Sequence, residues 1–82
     1  METQHTFSVV YAKKPGILLR LALVLERRGF TIESVTTLPY APDPTYWEMV
    51  IAAEGPSAKW EQVSKQVSKL IDVLAIQEFK EV

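Results

Sequence analysis

The chain has no cysteine and only one histidine, His5. The missing cysteines exclude disulfides, thiolate chemistry and cysteine-bound metals, and His5 has no neighbouring ligands with which to build a zinc site. No serine has a candidate base beside it in the pattern, so a nucleophile–base pair cannot be assembled. We therefore expect no metal, no cofactor and no nucleophilic catalysis, with His5 as a surface or strand-edge residue.

Glycine and long apolar runs are also scarce. The three glycines, Gly16, Gly29 and Gly55, are too far apart to form a phosphate-binding loop. Apolar runs are no longer than Leu21 to Leu25, and residues 2–5 are polar without a basic leader, so we expect neither a membrane span nor a signal peptide. The net charge of −1 gives no reason to expect nucleic acid as a partner. The absence of cysteine fits a cytoplasmic location, which we expect.

What is present is a globular composition, with 48% hydrophobic residues in 82, which predicts a single domain over residues 1–82. Periodicity and turn residues predict strands over Thr6–Tyr11, Thr31–Leu38, Tyr46–Ala53 and Val73–Phe79, and helices over Ile17–Arg28 and from an N-cap at Ser57 to Asp72. Right-handed crossovers then place two helices on one face of a four-stranded antiparallel sheet of order 4-1-3-2. This is the ferredoxin-like βαββαβ fold, which by itself does not decide function.

The first predicted helix is apolar on nearly all sides, whereas the second is apolar on one. The stripe expected to face the sheet in the first helix is Leu18, Leu21, Ala22 and Leu25, and outside it lie Ile17, Leu19, Leu23 and Val24. In the second helix one stripe holds Trp60, Val63, Val67, Leu70 and Ile71. Because a helix that is apolar all round is buried on more than one side, we expect a second subunit to cover the first helix and predict a homodimer. The alternative is cover by neighbouring segments of the same chain.

Between the first strand and the first helix stands Lys13-Lys14-Pro15-Gly16. Proline suits a first helical turn, and glycine lets another molecule approach the backbone. The unpartnered amides and the dipole of the helix start favour a small anion such as a carboxylate. On this local pattern alone, a plain turn that binds nothing is the favoured interpretation. Once other chemistry is excluded, a small carboxylate bound at a subunit interface is the function that uses both the turn and the apolar helix.

Three segments of the sequence resemble the ACT domain of the small regulatory subunits of acetolactate (acetohydroxyacid) synthase. They are Pro15–Arg20, Arg27–Ser34 and Lys69–Leu74, with lesser landmarks at Asp43–Thr45 and Met49–Ile51. The similarity extends from about Phe7 to Phe79, and the chain resembles the short, single-domain form. The Arg-Gly-aromatic-x-Ile-Glu-Ser and Lys-Leu-x-Asp-Val runs are the more specific parts of it.

The resemblance implies a regulatory subunit without catalysis of its own. Such a subunit binds and activates a large, thiamine-diphosphate-dependent catalytic subunit of branched-chain amino-acid synthesis, and often mediates feedback inhibition by valine. ACT domains pair, and the amino-acid effector lies between protomers, with its carboxylate at the glycine loop and its side chain against the second strand of the partner. The implied effector-binding residues are Lys13, Pro15, Gly16, Ile17, Leu18, Thr31 and Ile32.

The sequence departs from the family pattern at two of these positions. Lys13 stands where many members carry an amide or an acid that meets the ammonium group of the effector, and Thr31 stands where many carry asparagine. A lysine would repel the ammonium group, so we predict weak valine binding with activation retained. Two other interpretations stay open: a stand-alone amino-acid-sensing ACT module for another enzyme, and a small-molecule enzyme on a ferredoxin-like sheet.

Overall fold

The computed structural model describes residues 2–79, which form a βαββαβ succession in the predicted order. The elements are β1 (Glu2–Ala12), α1 (Ile17–Arg27), β2 (Thr31–Pro39), β3 (Tyr46–Pro56), α2 (Trp60–Ser68) and β4 (Val73–Phe79), with a 3₁₀ turn at Ser57–Lys59 before α2. The predicted domain of residues 1–82 includes residue 1 and residues 80–82, which lie outside the described residues.

The sheet has the order β2-β3-β1-β4, and its neighbouring strands are all antiparallel. The ferredoxin-like prediction is therefore confirmed. Strands β1 and β3 are longer than predicted, because they pair continuously from Glu2 opposite Pro56 to Ala12 opposite Tyr46. The predicted end of the third strand at Ala53 is thus wrong, because residues 54–56 continue β3. Gly55 belongs to β3 and is required there, since a Cβ at this position would lie 2.4 Å from the ring of Phe30.

The core lies between the helices and one face of the sheet, and it is built from strand residues two apart and helix residues four apart. Its buried members include Phe7, Val9 and Tyr11 of β1, Met49, Ile51 and Ala53 of β3, Ile17, Leu21 and Leu25 of α1, and Val63 and Val67 of α2. Alternate residues of β1 and β3 thus contribute to this core, which agrees with the periodicity from which the two strands were predicted.

Each predicted helix stripe contains one error. In α1, Ile17 is buried, whereas Leu18 is 43% exposed. Apolar residues cover so wide an arc of α1 that their spacing does not show which of them lie at the middle of the buried side. The predicted stripe was therefore about one position away from the observed one. Ile71 is 70% exposed because α2 ends at Ser68, which leaves Ile71 beyond the helix.

The C-terminus of α1 has the cap that its sequence indicates, whereas the N-terminus of α2 does not. After α1, Gly29 has a φ of 84°. The amide of Gly29 donates to the carbonyl of Glu26, and the amide of Phe30 donates to the carbonyl of Leu25. These two bonds form a Schellman motif, which ends α1 at Arg27, one residue before the predicted end at Arg28. The N-cap role predicted for Ser57 is wrong, because its hydroxyl donates to Oγ1 of Thr3 at 2.6 Å and does not cap the helix.

His5 is buried, contrary to the prediction of a surface or edge position. Because β1 begins earlier than predicted, His5 lies inside the strand and on the same face as Phe7. Its Nδ1 is 2.8 Å from Oε2 of Glu78, and its ring stacks on Trp60 with centroids 4.8 Å apart. His5 therefore forms part of an aromatic cluster under α2.

Candidate functional site

The turn between β1 and α1 ends in a backbone conformation that glycine adopts without strain. Gly16 has a φ of 82° and lies at the N-cap of α1, and its carbonyl accepts the amide of Arg20 at 3.0 Å. No side chain caps this helix start. The first amides of α1 are therefore left to solvent or to a ligand, as the anion-site hypothesis requires.

The space around this turn is open. Lys13, Lys14, Pro15 and Gly16 are all exposed, and a Cβ added to Gly16 would meet no atom within 4 Å. Ile17 differs from these residues because its side chain is buried in the core. A ligand at this turn would thus meet the backbone of Ile17 and not its side chain.

The side chain of Lys13 points to β3. Its Nζ lies 4.3 Å from the centroid of the Trp47 ring, which is a cation–π distance. Trp47 stands opposite Tyr11 in the sheet, next to the point where β1 leads into the turn. The ammonium group of Lys13 is therefore held at the rim of the turn by an aromatic ring.

Thr31 and Ile32 lie at the opposite end of α1 from this turn. Thr31 is exposed and pairs with Glu54, whereas Ile32 is partly buried against the core. The 11 residues of α1 place the two ends roughly 16 Å apart. A single chain therefore does not bring these two residues to the turn, and a site that uses both groups needs a second protomer.

An ion pair beside the turn was missed by sequence reasoning. Nη2 of Arg20 lies 3.5 Å from the carboxylate of Asp72, and the carbonyl of Asp72 accepts the amide of Ala12 at 2.8 Å. Asp72 has a φ of 73°, which fits its place in a tight connection. This arrangement ties the end of β1, the first turn of α1 and the start of β4 together. The sequence signalled only that Asp72 breaks the helix.

The outward side of α1 exposes three leucines. Leu18 and Leu23 are each 43% exposed and Leu19 is 65% exposed. The nearby strand β2 pairs only with β3, so it is an edge of the sheet. Within residues 2–79, no segment covers these leucines. Single exposed leucines are ordinary, but three on one helix beside a free edge are typical of an interface.

Other kinds of site are not found in the described part of the chain. No group of three or more histidine, cysteine, aspartate or glutamate residues lies close enough together to hold a metal ion. None of the described helices is both long and apolar enough to cross a membrane.

Comparison with known proteins decides the family. A sequence model of the ACT domain matches residues 13–76. The chain belongs to the ACT domain family. A protein of Archaeoglobus fulgidus named as a probable acetolactate synthase small subunit is 41% identical over 78 residues, which are 95% of this chain and 48% of that protein. The acetolactate synthase small subunit of Mycobacterium avium is 40% identical over 78 residues, covering 94% of this chain and 46% of that protein.

A solved structure gives the same result for the ACT domain described above. The crystal structure of the small subunit of acetolactate synthase from Thermotoga maritima superposes with a TM-score of 0.81 at 30% identity, over 98% of this chain and 49% of that one. The resemblance to the ACT domain of these small subunits is thereby confirmed. This chain spans about half the length of the relatives that it matches.

Proposed function

We propose that this ACT domain acts in a regulatory small subunit of acetolactate synthase, where it binds the large catalytic subunit and raises its activity. The observation that carries the proposal is an identity of about 40% along more than nine-tenths of the chain with proteins named as such small subunits. On this proposal the partner is a thiamine-diphosphate-dependent enzyme of branched-chain amino-acid synthesis, the ACT domain does no chemistry itself, and the complex is cytoplasmic.

The domain pairs with a second copy through α1 and the edge of β2. Burying Leu18, Leu19 and Leu23 would remove from water the apolar surface that the single chain leaves exposed. If the two copies run in opposite directions, Gly16 of one protomer comes close to Thr31 and Ile32 of the other. The homodimer therefore completes a site that the isolated chain holds in two separate halves.

The effector of this site is an amino acid. Its carboxylate would accept hydrogen bonds from the free amides that follow Gly16, and its side chain would lie against Thr31 and Ile32 of the second protomer. The rim of the turn offers its ammonium group another cation, Lys13, and the nearby carboxylate of Asp72 is already paired with Arg20. Valine would then bind weakly, in the millimolar range or not at all, while activation of the partner is kept.

Activation is tested by mixing the purified protein with the catalytic subunit of acetolactate synthase from the same organism. We expect a complex on size-exclusion chromatography and a higher rate of acetolactate formation than the catalytic subunit shows alone. Absence of both effects would overturn the proposal. Capture of a different enzyme from the native cell would instead support a stand-alone ACT module.

The effector is tested by calorimetry with valine, using wild type and Lys13→Asn. Because the substitution removes a like charge and supplies an amide oxygen, valine affinity should rise about tenfold or more. If Trp47 keeps the lysine away from the ligand, the two proteins will bind valine equally. Tight binding by wild type would show that Lys13 does not oppose the effector.

A further inference from the structure

A groove of about 500 Å³ runs between α1 and α2 on the surface that faces away from the sheet. It is lined by Val24, Arg27, Arg28, Gln66, Lys69 and Leu70. Val24 and Leu70 are partly buried and pack on the core, so they form an apolar floor. The remaining residues surround this floor with three cations and one amide. The groove lies on the side of α1 that faces α2, away from the edge strand β2.

The cations of the groove form no ion pair with any of the described residues. The guanidinium group of Arg28 donates to the amide oxygens of Gln62 and Gln66, at 3.3 and 3.4 Å, and both of these partners are neutral. In the part of the chain that the structure describes, no carboxylate lies within ion-pair distance of Arg27, Arg28 or Lys69. The chain as a whole carries a net charge of −1, so this surface is a local concentration of positive charge.

The form of the groove favours a protein segment over a small anion. The groove is open to solvent, whereas small-ligand sites enclose most of the ligand surface. A segment that combines apolar residues with carboxylates would match both the floor and the rim.

We propose that this groove docks an acidic, amphipathic segment of the acetolactate synthase catalytic subunit, with its apolar residues on Val24 and Leu70 and its carboxylates on Arg27, Arg28 and Lys69. The inference rests on the proposed function, since it assigns that partner a contact surface. Charge complementarity of this kind speeds encounter and selects the partner. Leu23 and Arg27 are four residues apart on α1, so the groove adjoins the apolar surface of the proposed dimer.

The test measures binding of the full chain to the catalytic subunit by biolayer interferometry at two salt concentrations. The groove variants are Arg27→Glu and Lys69→Glu, and the control is Lys59→Glu, an equal charge reversal at an exposed position at the other end of α2. Each groove variant should weaken binding by about tenfold or more, and the control by less than about twofold. The affinity of wild type should fall as salt rises, and less steeply in the groove variants.

Circular dichroism melting and sedimentation establish that each variant is folded and self-associates as wild type does. If a reversal unfolds the domain, the neutral variants Arg27→Gln and Lys69→Gln replace it and should still bind more weakly than Lys59→Gln. If the groove variants bind as well as the control, the docking inference is wrong while the proposed function stands. If wild type itself does not bind the catalytic subunit, both are wrong.

Discussion

Helices α1 and α2 lie on the same face of the sheet but present different surfaces to the outside. Each buries residues four apart, Ile17, Leu21 and Leu25 in α1 and Val63 and Val67 in α2. The outward side of α1 exposes leucines, whereas the exposed residues of α2 are polar or charged, among them Glu61, Gln62 and Lys65. All the apolar residues of α2 are therefore at least partly buried in the core, whereas several apolar residues of α1 remain exposed outside it.

The exposed leucines of α1 represent hydrophobic free energy that the single chain does not gain. Full burial of a leucine side chain is worth about 1.5–3 kcal/mol, and the leucines on the outward side of α1 realise only part of this in a single chain. A second protomer over α1 would realise the remainder, whereas covering the polar residues of α2 would cost desolvation. We therefore propose different partners for these two surfaces: a second copy over the outward side of α1, and a charged segment at the polar rim between the helices.

The largest expected effect separates the buried side of α1 from its outward side. Leu21→Ala removes a fully buried side chain and should lower the free energy of unfolding by about 2–5 kcal/mol. Leu19→Ala removes a side chain that is 65% exposed and should cost the single chain less than about 0.5 kcal/mol. Urea unfolding at a protein concentration low enough for the single chain to predominate measures both, since self-association would add to the stability. Equal losses would show that the two sides of α1 do not differ.

The next effect concerns self-association. Leu23→Glu should weaken the dimer by about tenfold or more, because it places an unpaired charge in the apolar surface of α1. Lys59→Gln changes the net charge by the same amount on the α2 side and should leave the dimer unchanged. Sedimentation at micromolar concentration compares both with wild type. A compact wild-type monomer at that concentration would contradict the proposed dimer, and so would a Leu23→Glu protein that associates normally.

The sequence was sufficient for the order of the elements and for the topology of the sheet. Alternation in β1 and β3, and Gly29 after α1, are local signals, and the structure agrees with each of them. Errors arose where a distant partner decided the outcome. Ser57 bonds to Thr3 across 54 positions, and His5 pairs with Glu78 across 73, so local capping and surface rules did not apply to them.

Only part of the candidate site could be predicted from the sequence. The Pro15-Gly16 turn has a local pattern, and the left-handed conformation of Gly16 agrees with it. The contact of Lys13 with Trp47 and the pairing of Arg20 with Asp72 are tertiary, and no spacing in the sequence signals either. The groove between α1 and α2 was missed for the same reason, since its lining comes from the ends of two helices that are distant in sequence and from the residues just after them.

A smaller effect is expected at the start of α1. Any side chain at Gly16 must adopt a φ of 82°, at a cost of about 1 kcal/mol, so both Gly16→Asn and Gly16→Asp should fold with slightly reduced stability. Only the aspartate should abolish effector binding, because its charge opposes a carboxylate at the free amides of α1. Valine calorimetry in the Lys13→Asn background distinguishes them. Equal binding by the two variants would place the carboxylate elsewhere.

The smallest effect tests whether the outward face of α2 is an ordinary solvated surface. Lys65 and Glu61 form an ion pair at 3.2 Å, four residues apart, with exposures of 69% and 80%. Solvent screening limits such a pair to about 0.3–0.5 kcal/mol, although the glutamate on the N-terminal side is the favourable orientation. Glu61→Gln, Lys65→Gln and the double variant form a cycle, measured by urea unfolding at low salt and at 1 M salt. The coupling should be small at low salt and should vanish at about 1 M, where screening acts over roughly 3 Å. A coupling above about 1 kcal/mol would mean that this face of α2 is shielded from water, and the contrast with α1 would then be lost.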